Sequence, residues 1–163
     1  MSTDPLLTPF IVKNLTLRNR IVSTSHEPSY SEDGLPKDRY RAYHVAKAKG
    51  GVGLTMIGGS SIVSRESAPA FGNLQLWKDE SAHWLRLLTD EVHEHGAAVM
   101  IQLTHLGHRS SSYSGDWLPT VSVSAVRERA HRSFTKEAED WDLDRIKNDY
   151  VTAAQRCVAA GMD

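Results

Sequence analysis

Three short segments carry the groups in this sequence best suited to chemistry: Thr24-Ser25-His26-Glu27, Gly58-Gly59-Ser60-Ser61 and Gln102-Leu103-Thr104-His105. They offer hydroxyl, imidazole, carboxylate and carboxamide groups, and glycines at which a ligand can approach bare backbone. Fixed charge is sparse. Such a set suits a flat heteroaromatic ring with carbonyl and ring-nitrogen groups better than a phosphate. Phosphate-binding turns are absent: Gly51-Val52-Gly53 lacks the third glycine of a GxGxxG turn, and no Gly-Lys-Ser or Gly-Lys-Thr sequence occurs.

Each residue also has a plainer use. Gln102 is the one polar interruption of the apolar run 97–103, and alone it reads first as an amide closing a backbone network. His26 beside Glu27 is either an acid–base pair, since imidazole titrates near neutrality, or a set of hydrogen bonds to a ligand or loop; the second is favoured. His105 and His108 have HxxH spacing, but one pair on a loop without a third ligand is poor support for metal, and no metal site is expected. His93-Glu94-His95 reads as a solvated helix end. Cys157, on an apolar helical stripe, reads as a core residue and not a nucleophile. Trp77, Trp84, Trp117 and Trp141 read as packing or loop anchors, with Trp117 also a candidate to border a substrate.

The elements that must position these groups alternate between strand and helix. Apolar stretches at 10–12 and 15–17 flank Lys13-Asn14 and predict a small hairpin. A first core strand is expected over 21–24, then a polar loop over 25–36 and a helix over 37–49 stopped by Gly50-Gly51. The uncharged run 52–57 reads as a buried strand. Ser81 is expected to cap an amphipathic helix through His95, with Trp84, Leu85, Leu88 and Val92 on one stripe and Gly96 at its end. Residues 97–103 read as a third strand. The polar stretch 104–142 is too long for an ordinary connection and reads as functional or an excursion. A last helix is expected over 142–160, with Ile146, Tyr150, Ala153, Ala154, Cys157 and Val158 inward. Alternation of this kind predicts an α/β fold with a parallel sheet, whose ligands gather at the carboxyl ends of the strands. The three polar segments occupy those ends and should converge.

Composition narrows the classes. The 163 residues are 40% hydrophobic and 24% charged, with formal net charge −1. That balance gives no electrostatic reason for a nucleic-acid or anionic-membrane partner, and neither is expected. No apolar run approaches the roughly 20 residues of a membrane span, and the opening MSTDPLLTPF lacks the pattern of a secretory signal. A single cysteine excludes an internal disulfide and, within this chain, a cysteine-held cluster, so a reducing, cytoplasmic setting is the expectation. The length excludes a closed (β/α)8 barrel, which takes about 250 residues.

The segment Leu15-Thr16-Leu17-Arg18-Asn19-Arg20-Ile21-Val22 resembles the LxLxNRIV opening of the old yellow enzyme family. Gly50-Gly51-Val52-Gly53-Leu54 resembles that family's second strand. Asp90-Glu91-Val92-His93-Glu94-His95-Gly96 is similar to the end of its second helix, and Gln102-Leu103-Thr104-His105-Leu106-Gly107 to its QLxHxG signature. Within the family, Thr24-Ser25-His26-Glu27 and TDEVHEHG look most like the trimethylamine dehydrogenase branch, which includes demethylases of N-methylated amino acids. The resemblance implies about the first three βα units of an FMN-binding TIM (β/α)8 barrel with an N-terminal β-hairpin. Residues 1–163 are then expected to be the N-terminal part of that domain, with the remaining barrel absent.

Carried over residue by residue, the resemblance implies that Thr24, Ser25 and His26 line the dimethylbenzene-to-N5 side of the flavin with their backbone groups. Gly59 would permit close approach, and Gln102 would pair with the pyrimidine edge, which reverses the plainer reading of that amide. Glu27 stands where trimethylamine dehydrogenase has its flavin-attaching cysteine, so FMN is expected without a covalent bond. Gly59 also replaces an aromatic of that enzyme's trimethylammonium cage, which leaves substrate choice open. Glu27, Thr104 and His105 are expected at the substrate pocket, and His108 stands where arginine is usual, with Arg109 next. Hydride transfer through FMN is the implied chemistry. The substrate is expected to be a small molecule, foremost an N-methylated amine or amino acid undergoing oxidative demethylation. The alternatives are NAD(P)H-dependent reduction of an enone or dienoyl thioester, and a non-catalytic fragment that keeps an FMN pocket. The electron partner is NAD(P)H or an electron-transfer acceptor. A 4Fe-4S cluster and a second nucleotide are implied only for sequence beyond this chain, and an open half-barrel gives reason to expect further chain or a homo-oligomer.

Overall fold

The computed structural model describes residues 4–67, 69–110, 119–130 and 134–163. Strands β1 (Phe10–Val12) and β2 (Leu15–Leu17) pair antiparallel as the expected hairpin, turning through Lys13 at φ +50°. Three core strands follow: β3 (Val22–His26), β4 (Leu54–Ile62) and β5 (Ala98–Thr104). They form a parallel sheet in that order, with α1 (Asp38–Lys49) and α2 (Ser81–His93) as its crossovers. After β5, the excursion holds a short parallel pair, β6 (Thr120–Ser122) and β7 (Thr135–Glu137), and then α3 (Asp140–Ala159).

The helices cover one face of the sheet. Ile57 and Val99 from the strands pack with Tyr40 and Ala48 of α1, Leu85, Leu88 and Val92 of α2, and Ala153 and Cys157 of α3. Burial pushes the Cys157 thiol up to about 11, in keeping with an inert core thiol. On the opposite face, Leu54 and Ala98 rest on Leu17 of the hairpin. Above that floor the face is open: Val22 and Met100 are exposed and, with Phe10, Val12, Leu17 and Met56, border a cavity of about 350 Å³.

Several local expectations are revised. Ser81 is the first helical residue of α2, not its cap; Glu80 precedes it and makes no side-chain capping bond. Helix α3 begins two residues early because Glu139 and Asp142 form a reciprocal capping box, the Asp142 carboxylate accepting from the Glu139 N–H at 3.0 Å. Val158 faces outward, and Trp84 is only half-buried, under the Arg41 guanidinium. The buried stripe of α1 is Tyr40, His44 and Ala48, spaced by one helical turn. Strand β4 runs on past Gly58-Gly59, where an end was expected, because its far portion pairs Ser61 with Leu103 and Ile62 with Thr104.

Candidate functional site

The fold brings the three polar segments to one end of the sheet. Val99 points to the helices, so Met100 and Gln102 point to the opposite, open face. Exposure alternates likewise along β3, where Val22, Thr24 and His26 are exposed and Ser23 and Ser25 half-buried. At its open end the face is therefore polar, with Thr24, His26 and Gln102. Deeper it is apolar, with Val22, Met56 and Met100. The Gln102 side chain makes no hydrogen bond among the described residues and is exposed, so it does not close a backbone network.

The strand ends are irregular where they meet. Pairing of β3 with β4 shifts between Ser23 and His26, and pairing of β4 with β5 shifts between Ile57 and Ser61. Such bulges re-aim backbone beside sites. Gly58 takes φ +70°, a conformation costly for other residues, and its N–H donates to the Tyr40 hydroxyl at 3.2 Å. At Gly59 an added β-carbon would lie 3.3 Å from the Glu27 nitrogen. Glu27 is half-buried; its Oε1 accepts from the Ser29 N–H at 2.9 Å, and its Oε2 is buried without a partner. Burial, opposed by the Ser29 hydrogen bond, pushes its carboxyl up to about 7. Burial and the Glu27 charge also raise the Tyr40 phenol.

His105 is held by neighbours of its own. Its Nδ1 accepts from the Gly107 N–H at 3.1 Å, so Nε2 carries the proton and meets Glu66 Oε1 at 3.3 Å. Glu66 in turn receives Arg145 of α3 at 2.8 Å. Burial pulls the Glu66 carboxyl upward, but the hydrogen bonds from His105 and Arg145 outweigh it and hold it below the ordinary range. Thr104, half-buried, gives its carbonyl to the Val63 N–H at 3.0 Å. His108 is exposed, and no group of metal-ligating side chains gathers among the described residues. Trp117 lies outside the described residues. His93, expected at a solvated end, meets Asp163 at 2.8 Å.

Residues 5–163 match the NADH:flavin oxidoreductase / NADH oxidase family. The chain belongs to that family. Its curated relatives include a probable N-methylproline demethylase of Rhizobium meliloti, 58% identical over all of this chain and 24% of the relative. A multifunctional alkene reductase/demethylase of Caballeronia cordobensis is 46% identical over 99% of this chain and 24% of its own length. This chain thus spans about a quarter of the length of these two relatives. Among solved structures, morphinone reductase in complex with tetrahydroNAD matches at TM-score 0.87 with 22% identity, over 99% of this chain and 48% of that one. The old yellow enzyme from Pichia sp. AKU4542 matches at TM-score 0.88 with 20% identity, over 99% and 45%. The architecture is the N-terminal part of an old yellow enzyme TIM barrel, and it is not closed within this chain.

Membership of the old yellow enzyme family implies FMN, and the residues present fit it. A carboxamide without a partner stands near the end of an apolar strand, and two glycines leave the backbone of the neighbouring strand bare enough for a flat ring to approach. No helix among the described residues is long and apolar enough to cross a membrane. Two polar positions near the site escaped sequence reasoning. His44, buried on α1, has Nδ1 2.8 Å from the Thr55 hydroxyl and stacks on Tyr40; burial pushes its imidazole down to about 3. Its one signal was its place a turn from Tyr40 and Ala48. Glu66 had no sequence signal, because its partners come from β5 and α3.

Proposed function

We propose that the protein to which this chain belongs is an FMN-dependent oxidoreductase that oxidatively demethylates an N-methylated amine or amino acid. The observation that carries the cofactor part is the unpartnered Gln102 carboxamide beside Gly58-Gly59 at the open strand ends. The demethylase part is supported by the name of the Rhizobium meliloti relative at 58% identity. Bound FMN supplies the acceptor for hydride leaving the N-methyl group, and the oxidised methyl then hydrolyses to formaldehyde.

This chain's residues have positioning work. Gln102 would offer both a donor and acceptors to the pyrimidine edge of the ring, while Thr24 and His26, with the backbone of Ser25 between them, would border its other side. Gly59 keeps side-chain bulk from the ring, and Val22, Met56 and Met100 form an apolar floor that excludes water. Glu27, Thr104 and His105 lie at the rim, His105 with its orientation fixed by Glu66. FMN is held without a covalent bond, because no cysteine stands at the strand ends. Sequence beyond this chain supplies the rest of the barrel, and with it any 4Fe-4S cluster, second nucleotide or oligomer contact; the setting is cytoplasmic.

A second reading, NAD(P)H-dependent reduction of activated alkenes, is favoured by the Caballeronia cordobensis relative, whose name joins both activities. Anaerobic mixing of the complete protein separates the two by electron donor. N-methylproline or N,N-dimethylglycine should bleach the flavin absorbance and release formaldehyde on turnover. Bleaching by NAD(P)H but by no N-methylated amine would establish the reductase instead.

A further inference from the structure

Glu27 directly follows β3, where the strand ends converge. Its main chain lies against the bare backbone of Gly59, so close that a β-carbon there would stand 3.3 Å from its nitrogen. The Ser29 N–H fixes Oε1, and Oε2 is the only carboxylate oxygen among the described residues that is both buried and unpartnered. No lysine or arginine among the described residues pairs with it. Of the titratable groups, His26 precedes it on β3 and Tyr40 of α1 feels its charge; Tyr43 packs against His26, and Lys47 of α1 is held on Ser23 Oγ at 2.9 Å and over the Tyr43 ring. None supplies Glu27 with a paired cation. A carboxylate desolvated in this way lacks a countercharge, and a bound cation would supply one.

Resting on the demethylase reading above, we propose that Glu27 is a specificity-determining residue: its carboxylate supplies the countercharge by which the strand-end pocket prefers ligands bearing an ammonium over neutral ones. A proton linkage follows. Near neutrality the buried group is divided between acid and carboxylate. A cation favours the carboxylate, so ligand binding expels the proton that the acid carried. Affinity for a cation of fixed charge must then rise with pH through the neutral range and level off above it. Protonated His26 would repel the same cation and give the same sign, so the two residues must be separated by mutation.

The test uses the complete FMN-loaded protein and two probes. N,N-dimethylprolinium has a quaternary nitrogen that does not titrate, and 2-cyclohexenone is neutral. Calorimetric titrations in buffers of different ionisation enthalpy give both affinity and the number of protons released. For the prolinium we expect a gain in affinity of about fivefold to tenfold between about pH 6 and pH 8, tenfold being the limit in which only the carboxylate binds it, with proton release at the acid end. Glu27→Gln should abolish the release, flatten the pH profile and hold affinity near the acid-end value. Its FMN content and cyclohexenone binding should be unchanged, which also shows that the variant folds. His26→Gln should keep the response. Prolinium affinity at pH 8 equal in Glu27→Gln and the parent with FMN retained, or a response that disappears with His26, overturns the proposal. Failure of the prolinium to bind at any pH overturns it too, and flavin bleaching by N-methylproline then reports separately on the demethylase reading.

Discussion

The Arg18 guanidinium donates to the carbonyl of His95 at 2.6 Å, tying the hairpin to the end of α2. The same side chain reaches the Ala48 carbonyl at 2.6 Å and the Val52 carbonyl at 2.8 and 3.0 Å. Past the helix ends Arg18 serves the Val52 and His95 carbonyls, and it adds a second donor to the Ala48 carbonyl, which also accepts from the Gly51 N–H at 3.0 Å. Asn19 continues the clamp, donating to the Gly51 carbonyl at 2.7 Å. The Leu-Arg-Asn-Arg segment therefore closes the base of the sheet, at the far end from the candidate site. Arg18→Ala should destabilise the protein by about 2–3 kcal/mol, since it removes the donor to the Val52 and His95 carbonyls and one of two donors to Ala48. Arg18→Lys should recover only part, because an ammonium cannot reproduce the fork. Urea unfolding of the complete protein measures both; a loss under about 1 kcal/mol in the alanine variant would contradict the assignment.

Gln102 should behave in the opposite way. Its side chain is exposed and unpartnered, so Gln102→Ala should leave urea stability within about 0.5 kcal/mol of the parent. If the carboxamide orients FMN, the same change should weaken FMN binding about tenfold, as loss of a buried hydrogen-bonded contact does. Fluorescence of FMN released on dilution gives the affinity. Unchanged affinity would remove Gln102 from the cofactor site.

Glu66 should contribute stability that depends on acid. Its folded carboxyl titrates below the ordinary value of 4.5, because the His105 and Arg145 hydrogen bonds outweigh the opposing effect of burial. The unfolded state therefore takes up the proton first as pH falls. The contribution is complete above about pH 4.5 and is lost as pH drops through the folded value. His44, held neutral by burial down to about 3, adds a separate acid loss that begins below its ordinary 6.5. Glu66→Gln should thus be less stable than the parent at neutral pH and converge on it in acid, with the His44 limb unchanged. Thermal unfolding across the acid range would show this; a constant difference at all pH values would exclude the linkage.

The fold was legible where one element's own period carried the signal. The Leu85-Leu88-Val92 stripe of α2 and the uncharged β4 and β5 gave the alternation, and the rule that ligands gather at strand ends then located Thr24, His26, Gly59 and Gln102 together. Long-range pairing was not legible. Gly58-Gly59 reads locally as a strand end, yet β5 carries β4 through a bulge to Ile62. The three-residue pair β6 and β7 has too little pattern to show. The motif that marks His105 gives no sign of its partner Glu66, which lies 39 positions away and is itself held by α3. Glu27 was visible as a departure from the family pattern, but the burial of its Oε2 depends on how neighbouring elements pack.

That burial carries a cost which can be measured without any ligand. The Glu27 carboxyl titrates at about 7 in the folded protein against an ordinary 4.5, because burial outweighs the Ser29 hydrogen bond. A raised acid means that the folded state holds the proton longer than the unfolded state does. Stability should therefore fall as pH rises from about 4.5 and reach its floor above about pH 7. Glutamine in place of Glu27 keeps the shape and the acceptor for the Ser29 N–H but cannot ionise. Glu27→Gln should match the parent near pH 4.5 and exceed it above pH 7, by about 1–2 kcal/mol once partial solvent screening is allowed for. Urea unfolding at both pH values decides, and a variant equally stable or weaker at the higher pH would show that the carboxylate is accommodated after all. A residue that weakens the fold when ionised, set at the mouth of the site, fits a group kept for what it does to a ligand.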